Sequence, residues 1–148
     1  MLRAATGGRQ KPVLRSWNLL IFSVGGRRLA AKAEEVAGIS EWKGSSPVPS
    51  RTPFISAVVR QDQVVLPVFA LSELLRVSVQ GTPLYCLTAK HPRGNMALCI
   101  DGDMPILHTL ELAAMRPYSG REFESFGSFS SGLDEVPILS LSKLGSVS

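Results

Sequence analysis

The chain has 148 residues, a formal net charge of +4 and two cysteines. That length suits one domain, or two small subdomains sharing a core, and buries enough surface to fold without a metal or a disulfide. Two cysteines supply neither a zinc pattern nor a disulfide framework, and no apolar run reaches the ~18–20 residues that a membrane span needs.

Met1 to Arg15 is basic, contains glycine and has no apolar periodicity. It reads as a disordered tail. The rival reading, a targeting peptide, wants an apolar core of about 7–15 residues that this segment lacks. All seven charged residues before Glu34 are basic, and the rest of the chain carries nine basic against twelve acidic side chains. The positive balance therefore belongs to the tail and the first hairpin.

Trp17 to Val24 reads as a strand, Gly25-Gly26 as a hairpin turn, and Arg27 to Ala33 as the return strand. Glu34 to Ile39 reads as either a short turn or a strand. Ser45 to Pro53 holds three prolines and three serines, a surface connector. Phe54 to Val59 is a third strand, Arg60 to Gln63 a polar turn, and Val64 to Phe69 a fourth strand. Pro67 inside that strand has no N–H to donate and marks an edge or a bulge. Leu71, Leu74 and Leu75 have the spacing of a short helix.

After Gly81-Thr82-Pro83, strands are expected at Leu84 to Ala89 and Met96 to Asp101. Counting pairs about the intervening turn puts Cys86 opposite Cys99. A cross-strand disulfide is geometrically conceivable, but two packed thiols suit a reducing cytoplasm better. Asp103 to Met115 reads as a strand followed by a helical piece. Pro117 to Ser131 is a Ser-, Gly- and Phe-rich loop with a strand around Phe126 to Phe129. Val136 to Leu139 and a turn at Leu141–Leu144 end the chain's ordered pattern.

The stretch Pro67-Val68-Phe69-Ala70-Leu71-Ser72 returns 70 residues later as Pro137-Ile138-Leu139-Ser140-Leu141-Ser142. Two such endings imply two similar β units, each closed by a short helix. Ten prolines and thirteen glycines fit the many turns of an all-β chain.

No constellation for catalysis or metal binding is legible. His91 stands in a turn beside Pro92, and His108 in an apolar stretch, with no cysteine or carboxylate at ligand spacing. Asp101-Gly102-Asp103 has only the opening residues of a calcium loop and reads as a turn. No G-x-S-x-G elbow occurs. Neither a cofactor nor a metal is expected. Arg27-Arg28 reads as a solvated turn or as a contact for an acidic partner.

The segment Leu20 to Ala30, with Val24-Gly25-Gly26-Arg27 at its centre, resembles the opening hairpin of the CheW-like chemotaxis adaptors. Val36-x-x-Ile39 is similar to their next element. Pro53-Phe54-Ile55 to Pro67-Val68-Phe69-x-Leu71 resembles the stretch that the family writes Gly-Val-x-Asn-Leu-Arg-Gly-x-hydrophobic-hydrophobic-Pro-Val-x-Asp-Leu. Ala97 to Asp101 and Val136-Pro137-Ile138-Leu139-x-Leu141 resemble two later strands. The likeness runs over about residues 17–146. The polar signature departs from it: the family's Gly falls on Ala57, its Asn on Arg60, its Arg on Asp62, its turn Gly on Gln63 and a further Asp on Ala70. Gly38 stands where a Glu is common.

The resemblance implies an all-β fold of two five-stranded SH3-like β-barrels with short helices. It places a single domain at 16–146, with subdomains at about 17–76 and 82–146. It implies a cytoplasmic, non-enzymatic scaffold that couples a methyl-accepting chemoreceptor, or a divergent equivalent, to a CheA-type histidine kinase. Contacts would lie on strand edges and in the groove between barrels, with Val36, Gly38, Arg60 and Asp62 as partner-binding candidates. Reversal of sign at Asp62 points to a partner of altered charge. The alternative, a small basic β-barrel binding nucleic acid, is at odds with the lack of aromatics interleaved with basic residues on a strand face.

Overall fold

The computed structural model describes residues 15–81 and 84–145. The expected tail at 1–15 therefore lies outside the described residues except for Arg15, whose carbonyl accepts the Leu112 N–H at 2.9 Å.

Among the described residues, eleven strands form in chain order. They are β1 (Ser16–Val24), β2 (Arg27–Lys32), β3 (Val36–Glu41), β4 (Ser46–Pro47), β5 (Ile55–Gln61) and β6 (Val64–Phe69), then β7 (Tyr85–Ala89), β8 (Met96–Ile100), β9 (Ile106–Glu111), β10 (Ser125–Ser131) and β11 (Asp134–Leu139). A short helix, α1 (Leu71–Leu75), follows β6, and a 3-10 turn at Leu141–Lys143 follows β11. The undecided stretch after β2 holds both readings: a 3-10 turn at Ala33–Glu35, then β3. The helical piece after β9 is a 3-10 turn at Leu112–Ala114. The polar turn is shorter than expected, because β5 runs on through Arg60 and Gln61.

The strands build two sheets, curled into two SH3-like barrels. Sheet I has the order β9-β1-β2-β11-β10, and sheet II the order β3-β7-β8-β6-β5-β4. Sheet II thus has a sixth strand, the two-residue β4 inside the proline-rich connector. The sheets do not follow a split between residues 76 and 82. Sheet I takes its first hairpin from the first half of the chain and β9, β10 and β11 from the second. Sheet II takes β3 to β6 from the first half and the β7–β8 hairpin from the second. The repeat is real along the chain, but in space each half lends a hairpin to the other's sheet.

The two prolines mark this exchange. β6 pairs antiparallel with β5 along its length, and its parallel pairing with β8 is the single pair Val68↔Ala97, just past Pro67. β11 pairs antiparallel with β10, and its parallel pairing with β2 is Ile138↔Ala30 and Leu139↔Ala31, just past Pro137. Neither proline lies on an edge strand. Each stands where a missing N–H costs nothing, one residue before pairing begins on the second side.

Side-chain alternation along the inner strands fills three cores. On β1, Leu20, Phe22 and Val24 enter the central core between the sheets, while Leu19 and Ile21 enter barrel I. On β8, Met96, Leu98 and Ile100 face the central core and Ala97 faces barrel II. Strands buried on both faces read as continuous apolar runs, as these do. Each fully buried Leu, Ile or Phe contributes roughly 1.5–3 kcal/mol. The central core, which also holds Phe69, Leu71, Leu139 and Leu141, is what ties the two barrels together.

Candidate partner-binding site

The β5–β6 hairpin carries two of the four candidates. Arg60 is exposed and pairs across the ladder with Val65, itself exposed. Asp62 occupies the turn with φ +56°. That left-handed conformation is tolerated by Asp and Asn and avoided by longer side chains. The counterpart in the other sheet, 70 residues on, is Gly132 with φ +64°. Part of the reason for Asp at 62 is therefore the backbone, independent of any partner. Arg60 and Asp62 share a shallow depression of about 490 Å³ with Val58 and residues 43–46.

Val36 and Gly38 lie on β3, at the edge of sheet II, and do not line that depression. Val36 is half-buried against the central core. Gly38 follows a register shift in the β3–β7 ladder and is exposed. An added Cβ there meets nothing within 4 Å. The missing carboxylate at this position is thus no demand of the backbone. What joins the two pairs is Gln61: its amide donates to Ser40 Oγ on β3 at 2.5 Å and accepts from Thr88 Oγ1 on β7 at 3.1 Å. This clasp ties the hairpin strand to β3, which carries Val36 and Gly38, and to its neighbour β7.

A second concave surface lies where the two sheets meet. A groove of about 870 Å³ has Pro53, Phe54, Phe69 and Leu74 on one side and residues 120–125 and 143–145 on the other. Phe54 is the exposed apolar anchor. It has φ +63°, its carbonyl accepts the Ala70 N–H at 2.8 Å, and its ring lies 5.7 Å from that of Phe69. The expectation of a groove between barrels did not name these residues. The only signal for Phe54 was an aromatic placed straight after a proline-rich connector.

The remaining chemistry-bearing residues serve the fold. Asp101, 3% exposed, accepts backbone N–H groups from Gly25, Gly26 and Gln80 at 2.9, 2.8 and 2.7 Å. It is a turn residue, as read, but one that anchors the first hairpin from the other half of the chain. Arg27 and Arg28 are neither a bare solvated turn nor free. Arg27 is bonded to the Tyr118 hydroxyl and paired with Glu122 at 3.6 Å, and Arg28 bonds Ser131 at 3.0 Å and pairs with Asp134 at 3.6 Å. His91 Nδ1 accepts the Arg93 N–H at 3.1 Å, so Nε2 is the nitrogen that donates to the Leu144 carbonyl at 2.9 Å. His108 stacks on Phe129 at 5.1 Å. Cys86 and Cys99 are paired in register on β7 and β8 and are free thiols. Burial pushes both thiols up, Cys99 from 9.0 to about 11. Among the described residues, no group of three or more His, Cys, Asp or Glu is placed to hold a metal ion. No helix there is long and apolar enough to cross a membrane.

Two barrels exchanging hairpins about a shared core, with a groove at their junction, define a double-barrel β architecture. The comparisons give it a family. The CheW-like domain profile matches residues 18–124, well over half of the chain. The chain belongs to the CheW-like domain family. Among solved structures, the scaffolding protein TtCheW from Thermoanaerobacter tengcongensis superposes with a TM-score of 0.74 over 90% of this chain and 94% of that one, at 13% identity. At that identity the likeness is one of fold. No curated protein matches the sequence.

Proposed function

We propose that this chain is a non-enzymatic, cytoplasmic scaffold of chemotaxis-type signalling that couples a chemoreceptor, or a divergent equivalent, to a CheA-type histidine kinase. Membership of the CheW-like family carries this reading. Two surfaces are suited to it. The groove offers apolar anchors in Phe54 and Leu74, and exposed aromatic and aliphatic side chains in a pocket supply most of the energy at interfaces. The β5–β6 hairpin offers Arg60 and Asp62 beside Val64 and Val65, both more than half exposed. Charged groups at such a rim set specificity and association rate more than affinity. Val36, Gly38, Arg60 and Asp62 are the contacts we assign to partner recognition. Against a nucleic-acid role, Arg27 and Arg28 are engaged internally, and Lys32 Nζ lies over the rings of Trp17 and Phe126 at 4.0 and 4.2 Å.

The test is calorimetric titration of a typical chemoreceptor signalling tip with wild type, Asp62→Asn and Asp62→Arg at low and high salt. Asp62→Arg should bind the typical tip at least severalfold more tightly than wild type, and salt should shrink the gap. Asp62→Asn, which keeps the turn conformation, should fall between. Equal affinities for all three would mean that this turn plays no part in recognition.

A further inference from the structure

Residues 117–124 run from the Arg116–Ser128 bridge to β10, and residues 120–124 among them line the groove. Their two ends are pinned by backbone. Arg116 and Ser128 exchange N–H···O bonds of 2.8 and 2.7 Å, and the Glu124 carbonyl accepts the Ser140 N–H at 3.0 Å. Between those pins, among the described residues, no backbone-to-backbone hydrogen bond holds residues 117–123. The segment is held by side chains instead. Tyr118 stacks on Phe123, with 5.5 Å between centroids and planes 6° apart, and its hydroxyl donates to Glu122 Oε1 at 2.5 Å. Phe123 packs against the central core.

All of these groups meet one residue of the first hairpin. Arg27 Nη2 donates to the Tyr118 hydroxyl and pairs with Glu122 at 3.6 Å, and its guanidinium lies 5.7 Å from the centre of the Phe123 ring. Arg27 is a fixed post, because the Asp101 carboxylate holds the amides of Gly25 and Gly26 immediately before it. The strap itself is curled tightly. A Cβ at Gly120 would stand 2.4 Å from Glu122 Oε1 and from the Tyr118 hydroxyl, the two atoms of the latch. Residues 120–125 form one wall of the groove that faces Phe54, Phe69 and Leu74.

We propose that residues 117–124 are a strap latched by Arg27 through Tyr118, Glu122 and Phe123, and that release of the latch opens the groove. A wall with pinned ends and no backbone bonds between them opens by losing side-chain contacts alone, while the sheets stay intact. A half-exposed ion pair and a cation–π contact are weak enough to be exchanged for contacts with a partner. The consequence for docking rests on the reading of the groove given above. The release of the strap does not, and it is measured without a partner.

Arg121, inside the strap and exposed, provides the probe, since trypsin cleaves after arginine only where the chain can be drawn out of the fold. The experiment follows tryptic nicking of the folded protein by mass spectrometry, scoring the Arg121-Glu122 bond against the Arg93-Gly94 bond in the β7–β8 turn. Arg27→Met should speed nicking at Arg121 at least tenfold relative to Arg93. Gly120→Ala, which keeps every charge but wedges the latch atoms apart, should do the same. Arg28→Met, beside the post but bonded to the other hairpin, should leave the ratio unchanged. Should Arg27→Met fail to fold, Gly120→Ala decides in its place. A wild-type ratio in a folded Arg27→Met or Gly120→Ala protein, or an equal rise in Arg28→Met, overturns the proposal.

Discussion

Asp101 Oδ1 accepts the backbone N–H of Gly25 across a sequence distance of 76 residues, at 2.9 Å. The contact joins the crossover that follows β8 to the tip of the β1–β2 hairpin. Oδ2 takes Gly26, and Oδ1 also takes Gln80. The other crossover, after β2, repeats the device: Glu35 Oε1 accepts the Leu141 N–H that opens the C-terminal 3-10 turn, at 3.1 Å. At each crossover between the sheets a carboxylate satisfies backbone donors supplied by the opposite half of the chain.

Removing the Asp101 carboxylate should therefore cost far more than a turn residue normally does. Asp101→Ala leaves three backbone N–H donors without their acceptor, and a buried unsatisfied donor costs about 1–3 kcal/mol. We expect a loss of about 3 kcal/mol or more in urea unfolding, with roughly half of that for Asp101→Asn, which keeps one acceptor. A loss below about 0.5 kcal/mol, the range of an ordinary surface change, would show that water replaces the carboxylate.

Gly25 is the other side of this contact. It has φ +63°, and an added Cβ would stand 2.3 Å from Val77 Cβ. Gly25→Ala combines backbone strain with a steric clash, and each is of the order of 1–3 kcal/mol. The variant should lower the melting temperature by several degrees. Gly38→Ala, where nothing lies within 4 Å, should leave it unchanged.

The thiol pair gives a pH signature. Cys99 is raised from 9.0 to about 11 by burial first, with the charges of Cys86 and Asp101 adding to it, and Cys86 is raised in the same direction. The folded state therefore holds these protons more tightly than the unfolded chain does. That contribution to stability is complete below pH 9 and is lost as pH climbs through about 11. The difference in urea midpoint between wild type and Cys86→Ala/Cys99→Ala should narrow over this window. At neutral pH the double variant should be less stable by a few kcal/mol through the cavities it leaves. A reducing agent should not change the melting temperature of wild type; a drop would mean that a disulfide forms.

Most strands were legible because their alternation or continuous apolar character is local. The Cys86–Cys99 register followed from counting about one turn. The 70-residue repeat was legible too, but which half each hairpin joins was not. The pairs that decide it, Ile138↔Ala30 and Ile106↔Ile21, link residues far apart in the chain. An apolar strand buried on both faces carries no sign of which neighbour it takes. On the sequence alone Pro67 marks an edge or a bulge; in the fold its strand is interior to the sheet, and the missing N–H falls where the second ladder starts. The groove escaped a residue-level reading because Phe54, Phe69 and Leu74 meet residues 120–125 only after the hairpins have been exchanged. Arg27 looked like half of a solvated turn because its partners, Tyr118 and Glu122, lie more than 90 residues away in a segment without periodicity.

At Gly38 and Asp62 the backbone separates two reasons for an unusual residue. Gly38→Glu restores a carboxylate into open space and should be neutral for stability, within about 0.5 kcal/mol. Asp62→Arg puts a long side chain at φ +56° and should cost about 1 kcal/mol or more. If Gly38→Glu proves as destabilising as Asp62→Arg, β3 is packed against something in solution. Chemical denaturation of the two variants side by side distinguishes these outcomes.

The central claim is that the chain joins a sensor to a histidine kinase. Capture with the tagged full-length chain from its native cells, followed by mass spectrometry, tests it most directly. The account predicts that a CheA-type histidine kinase is recovered in near-stoichiometric amount together with a receptor-like sensor, and that Phe54→Asp in the groove depletes at least one of them tenfold. Recovery of neither a histidine kinase nor a sensor by the folded wild-type chain would contradict it.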